Sequence, residues 1–205
     1  MNDTISNELV LASGNQGKHK EFSILLGQRG FILKPQSDWN VPEAVEDAPT
    51  FLENALIKAR NASAHTGLPS LADDSGLVVQ GLAGAPGIFS ARYAGDEGDD
   101  KANNRKLLSA LEGLTGTDRA AYFHCVIVLT RSVDDPVPLV ASASWYGEIA
   151  LTESGIGGFG YDPVFLVNGM NCTSAELSPE QKGLLSHRGQ AVRKLLSKLD
   201  RLNGC

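Results

Sequence analysis

The chain has 205 residues, 42% of them hydrophobic, which is enough length for one domain with a real core. Its net charge of −6 speaks against a protein that wraps nucleic-acid backbone, and no apolar run approaches the ~20 residues of a membrane span. The three cysteines, Cys125, Cys172 and Cys205, are widely spaced and odd in number, which suits a reducing cytoplasm better than a disulfide frame or a structural zinc site; the polar start Met1-Asn2-Asp3-Thr4 does not resemble a signal peptide.

Glu8-Leu9-Val10-Leu11-Ala12 has the composition of a short buried strand. Ser13-Gly14-Asn15-Gln16-Gly17-Lys18 comes next, and from Lys18 a helix follows with Phe22, Leu25 and Leu26 on one face, closed by Gly27 and Gly30. Strand, glycine turn and helix start is an arrangement that turns backbone N–H groups toward phosphate. Lys18 adds positive charge there, and Ser13 and Asn15 add hydrogen-bonding side chains. This is not a Walker A loop, because only two residues separate Gly14 from Gly17 and His19 stands where that motif needs a hydroxyl. A plain capped strand-to-helix turn would use the same residues.

Phe31-Ile32-Leu33 reads as a second strand, and the acidic, proline-bearing stretch 39–49 as a loop. Thr50 and Glu53 have the spacing of a capping box. The helix they open sets Leu52, Ala55, Leu56 and Ala59 on one stripe, with Lys58 off it, where a solvated lysine is the ordinary outcome.

Leu71-Ala72-Asp73-Asp74-Ser75-Gly76-Leu77-Val78-Val79 then places two adjacent carboxylates among strand-like apolar residues. A carboxylate avoids burial unless a cation, a metal or several donors hold it, and two side by side call for a divalent ion or a proton. On a strand the two would face opposite ways and serve different purposes. Asp-Asp-Ser-Gly is equally good turn chemistry.

Glycine-rich 81–87 is irregular, and Arg92 in Ser90-Ala91-Arg92-Tyr93 is a further phosphate candidate. A helix is predicted over Asp99–Leu111, and long strands over Ala121–Thr130 and Leu139–Ile149, joined by a turn at Asp134-Asp135-Pro136. His124 lies inside the first of these strands and reads as a packed or edge histidine. Gly155-Ile156-Gly157-Gly158-Phe159-Gly160-Tyr161-Asp162-Pro163 leaves backbone open to close approach, offers two aromatic faces for a base, and supplies Asp162 as an acceptor. A tight hairpin with aromatic plugs fits it too. Ser178-Pro179-Glu180-Gln181 is a second capping box. Lys182, His187 and Arg188 gather donors across a helix break, suited to a purine edge or a phosphate, although a solvated cationic face is the simpler alternative. A last helix carries Ala191, Val192, Leu195, Leu196 and Leu199 inward. Early alternation of helices and strands with a later hairpin predicts an α/β fold with a mixed sheet.

Taken in order, SGNQGKHKE, TFLENALIKAR, LADDSGLVV, GAPGIFSARYAG, GGFGYDP and SHRGQA resemble the non-canonical purine nucleoside triphosphate pyrophosphatases, the Ham1-like or inosine triphosphatase family, over nearly the whole chain and most closely its bacterial branch. The resemblance implies a single domain of two lobes, a long mixed twisted β-sheet with flanking helices and an active cleft between the lobes. It also implies a cytoplasmic homodimer and a Mg²⁺-dependent hydrolysis of inosine, deoxyinosine and xanthosine triphosphates to the monophosphate and pyrophosphate. By motif, Ser13, Gly14, Asn15, Gln16, Gly17 and Lys18 cradle the triphosphate, and Lys58 faces the phosphates. Asp74 accepts the proton and binds metal, with Asp73 beside it, and Ser75 touches the nucleotide. Phe159, Gly160, Tyr161 and Asp162 contact base and sugar, and Lys182, His187 and Arg188 complete the base pocket.

One departure is visible. Many relatives carry two adjacent glutamates shortly before the second helix, one of them a metal ligand; here the pair is Val45-Glu46. Glu46 is the candidate, with Glu43 or Asp47 as alternatives. Specificity is expected from the purine 6-position, where Arg188 or His187 would favour an oxygen over an amino group. Two other functions compete: a pyrophosphatase for other modified nucleotides, and a non-catalytic nucleotide sensor. The paired carboxylates speak against the sensor, since a pure anion binder gains nothing from them.

Overall fold

The computed structural model describes residues 6–95 and 98–202, so Met1–Thr4 and Cys205 lie outside the described residues. The strands are β1 (Glu8–Leu11), β2 (Ile32–Pro35), β3 (Ser70–Val79), β4 (Ala120–Thr130), β5 (Leu139–Ile149) and β6 (Phe165–Val167). The helices are α1 (Gln16–Gly27), α2 (Phe51–Thr66), α3 (Asp100–Ala110), α4 (Pro179–Leu185) and α5 (His187–Leu202). The strands form one sheet in the order β2-β1-β3-β4-β5-β6. β1 runs parallel to both β2 and β3, whereas β5 and β6 are antiparallel, so the sheet is mixed.

The chain divides into two compact units, one comprising residues up to Asp74, Cys125–Ala143 and the segment from Arg188, the other Ser75–His124 and Ser144–His187. In the first unit, β1, β3, β4, α1 and α5 meet over Leu9, Leu11, Phe22, Leu26, Leu71, Ile127, Leu195 and Leu199. Ala55, Ala59 and Ala62 of α2 pack with Val10, Ala72 and Val128. These alanines let the helix lie close to the sheet. Leu52 departs from the expected stripe: it sits in the first turn of α2 and is exposed. β2 is an edge strand, which is where Pro35, lacking an N–H, is tolerated.

In the second unit Leu77, Val79, Leu107, Leu111, Phe123, Trp145, Phe165 and Val167 form the core. Arg119 is buried among them and gives its guanidinium to the carbonyls of Ile149, Leu111 and Ala150 at 2.8, 2.9 and 2.6 Å. Burial lowers its pKa. His124 is half-buried and shares a 2.8 Å hydrogen bond with Ser144; β4 is flanked by β3 and β5, so it is a packed histidine and not one on an edge strand. No described helix is long and apolar enough to cross a membrane.

Candidate active site

The turn reading of the acid pair does not hold. β3 runs unbroken from Ser70 to Val79, and both Asp73 and Asp74 are buried on it. Adjacent strand residues face opposite ways, and the two acids have different partners. Asp73 Oδ2 lies 3.1 Å from Lys18 Nζ and 3.5 Å from Arg188 Nη2, and accepts a long contact from the Cys125 thiol at 4.0 Å. Asp74 Oδ1 accepts a hydrogen bond from Lys58 Nζ at 3.1 Å. The same ammonium donates to Glu46 Oε2 at 2.7 Å. Lys58 is therefore not the solvated lysine its place off the apolar stripe suggested. Of the three acids considered for the loop before α2, Glu46 is the one joined to Asp74 through a shared cation.

Burial raises the pKa of Asp74 above the ordinary carboxylate range, against the downward pull of Lys58 and Lys18. For Lys58, burial works to lower the pKa, but Asp74, Asp73 and Glu46 together hold it above the ordinary lysine value. Both partners of this pair shift upward because Asp74 loses much of its hydration while Lys58 faces three carboxylates. Asp74 Oδ2 is buried and has no hydrogen-bond partner among the described residues. Burial, reinforced by Asp73, pushes the Cys125 thiol up, which leaves it unreactive.

Lys18 reaches Asp73 from the first turn of α1. That helix starts at Gln16, two residues before the expected start, with Asn15 as its N-cap accepting from the Lys18 N–H at 3.0 Å. Its first turn holds no acidic residue. Sequence reasoning missed Glu21. It lies three residues after Lys18 on α1 and is ion-paired with Arg188, whose guanidinium is thereby held between two carboxylates in the first unit. No local spacing announced the pairing, because its partner lies 167 residues away along the chain. Arg188 is 2% exposed; burial works against its charge, but Asp73 and Glu21 raise its pKa further.

Ser13, Gly14, Gln16 and Gly17 lie with Lys18 in the first unit, and Ser75, Phe159–Asp162, Lys182 and His187 lie in the second. Asp162 is buried; its Oδ2 accepts from Lys182 Nζ at 2.7 Å and from the Phe159 N–H at 2.8 Å, and its Oδ1 from the Ser174 hydroxyl at 2.7 Å. The Lys182 ammonium sits over the Phe159 ring, 4.7 Å from its centroid. His187 stacks on Phe123 at 4.7 Å with 10° between the planes. Tyr161 is buried and donates its hydroxyl to the Ser90 carbonyl at 2.8 Å, so of the two aromatic residues only Phe159 presents a ring for stacking. Ser75 follows the acids on β3 and is half-buried. The glycines of this segment are not all open. A Cβ on Gly158 would collide with the Asp162 carboxylate, and one on Gly155 or Gly157 would lie 2.8 or 2.7 Å from Ala175. Around Gly160 no atom stands within 4 Å of the Cβ position.

The protein is thus of the α/β class, with a strand-borne acid pair matched to lysines and an aromatic–glycine loop built on a buried aspartate. The sequence profile of the Ham1 family matches residues 9–198, and the chain belongs to that family. It is 55% identical over 192 residues to a dITP/XTP pyrophosphatase of Thioalkalivibrio sulfidiphilus, covering 94% of this chain and 98% of that one. It is 52% identical over 198 residues to a dITP/XTP pyrophosphatase of Vibrio cholerae, covering 97% and 99%. Among solved structures, the HAM1 protein from Coxiella burnetii superposes with a TM-score of 0.87 at 48% identity, covering 95% of this chain and 98% of that one. The Staphylococcus aureus Ham1 protein superposes with a TM-score of 0.83 at 41% identity and the same coverage.

Proposed function

We infer that this chain hydrolyses non-canonical purine nucleoside triphosphates, namely inosine, deoxyinosine and xanthosine triphosphates, to the monophosphate and pyrophosphate. Relatives of this activity match it over almost their full length. The observation that carries the chemistry is Asp74, a buried strand carboxylate with one oxygen bound to Lys58 and the other buried without a hydrogen-bond partner among the described residues.

The donors suit Mg²⁺. That ion binds through one or two carboxylates and fills its shell with phosphate oxygens and water, so the unpartnered Asp74 oxygen, with Glu46 held by the same Lys58, is a set that suits it. No cluster of three or more metal-binding side chains exists among the described residues, and such an ion requires none. When bound, it would draw electron density from the phosphoryl oxygens and offset their charge. Asp74 takes the proton from the attacking water as an ionised carboxylate. Lys18 and Lys58 would offset charge on the departing pyrophosphate. Asp73, gripped by Lys18 and Arg188, keeps that lysine in place. Phe159 offers a face to the purine, and Asp162 holds the loop that carries it. Ser13–Lys18 remain the proposed cradle for the triphosphate, and Lys182 and His187 the donors nearest the base.

Arg188 pairs with Asp73 and Glu21, which supports a positioning role for it as much as base recognition. The family resemblance supports a cytoplasmic homodimer and one domain of two lobes. A panel of triphosphates with product identification tests the whole reading. Inosine and xanthosine triphosphates should release pyrophosphate rapidly, and adenosine triphosphate slowly. Asp74→Asn should lose at least ~100-fold in turnover while calorimetry finds nucleotide affinity little changed. Orthophosphate as the product, or near wild-type turnover by that variant, would overturn it.

A further inference from the structure

Helix α3 carries a polar stripe where a core-facing helix would normally be apolar. Asp100, Asn103 and Asn104 stand at i, i+3 and i+4, and the two asparagines are each 2% exposed. None of them caps the helix: Asp99 does so, accepting from the Ala102 N–H at 2.8 Å. Instead they hold the backbone of loops. Asn103 accepts from the Ala94 N–H at 2.7 Å and donates to the Ala91 carbonyl at 3.2 Å.

Asp100 Oδ2 accepts from the Gly160 N–H at 2.6 Å, and Asn104 Nδ2 donates to the Gly160 carbonyl at 3.1 Å. Both polar groups of a single peptide residue are thus fixed by one helix. Gly160 lies between Phe159 and Tyr161, has φ +62, and is the glycine of its loop whose Cβ position faces open space. Asn104 Oδ1 is buried without a hydrogen-bond partner among the described residues, so the amide contributes there through its bond to Gly160.

We propose that Asp100 and Asn104 are positioning residues for the purine: by pinning the peptide of Gly160 they fix the Phe159 ring in the orientation that a base stacks upon. This rests on the reading of Phe159–Asp162 as the purine-contacting loop. Their observed bonds go to the loop and not to the acid pair or its lysines, so in this reading they act on nucleoside binding and not on the chemical step.

Steady-state kinetics with deoxyinosine triphosphate, read as pyrophosphate release, test this. Asp100→Ala should raise KM on the order of tenfold, the effect of losing a charge-assisted hydrogen bond, with kcat within about twofold. Inhibition by inorganic triphosphate, which has no base, should stay unchanged. Asp100→Asn keeps an acceptor oxygen and should restore KM. Asn104→Asp has the same shape but sets a carboxylate against the Gly160 carbonyl, so it should reproduce the raised KM. If Phe159→Ala raises KM while Asp100→Ala and Asn104→Asp do not, the proposal falls alone. If Phe159→Ala leaves KM unchanged, the loop reading falls and takes the proposal with it. A parallel loss of kcat and of triphosphate inhibition in Asp100→Ala, unrescued by Asp100→Asn, would show a merely structural role and also overturn it.

Discussion

Burial raises the Asp74 pKa, and Lys58 pulls it back toward the ordinary range. Removing that cation should therefore push the carboxyl higher still. In Lys58→Met, carboxyl-carbon NMR in metal-free buffer should find the Asp74 titration midpoint moved to higher pH, and an unmoved or lowered midpoint would contradict the assignment. Lys58 also shows where the sequence was silent. Its place on the helix was legible, but its partners Glu46 and Asp74 lie 12 and 16 residues away along the chain. No local spacing announces such a meeting. Arg188 is similar: the motif marked it as functional, yet its contact with Glu21 depends on α1 and α5 packing side by side in one core.

Capping and periodicity made most elements legible. Thr50 caps α2 and Ser178 caps α4 as their sequences indicate. β4 and β5 match their predicted runs to within a residue. The glycine loop was misjudged in part, because glycine marks close approach without saying by what. At Gly155, Gly157 and Gly158 the approaching atoms belong to the chain itself. Arg119 ties the end of α3 to the end of β5 through carbonyls that have lost access to water. Arg119→Met should cost roughly 3 kcal/mol, since the carbonyls are left without donors, and Arg119→Lys should recover little because an ammonium cannot span them. Denaturant unfolding checks this; a loss below about 1 kcal/mol would contradict it.

For the whole molecule, an acid whose folded pKa is raised lowers stability at higher pH. The folded state then binds more protons than the unfolded one, so stability falls as pH rises through the folded pKa. Asp74 is such a group even after the attraction of Lys58 is counted. In metal-free buffer Asp74→Asn should melt at a higher temperature than the parent at pH 8, and the gap should close as pH falls toward the usual carboxylate range near ~4. A variant less stable than the parent at pH 8 would show that the carboxylate contributes net stabilisation.

The sequence by itself determined most of the elements, the caps, the family and the residue types able to do the chemistry, because these depend on short spacings and on segments kept in order. Tertiary structure alone decided that the acid pair lies within a strand, that Lys58 bridges Glu46 and Asp74, that Arg188 is clamped by Asp73 and Glu21, and that α3 holds Gly160 by both its backbone groups. Each of these joins side chains from segments distant in the chain, and a hydrogen bond or a change of pKa requires a few ångströms of separation that packing sets and composition does not.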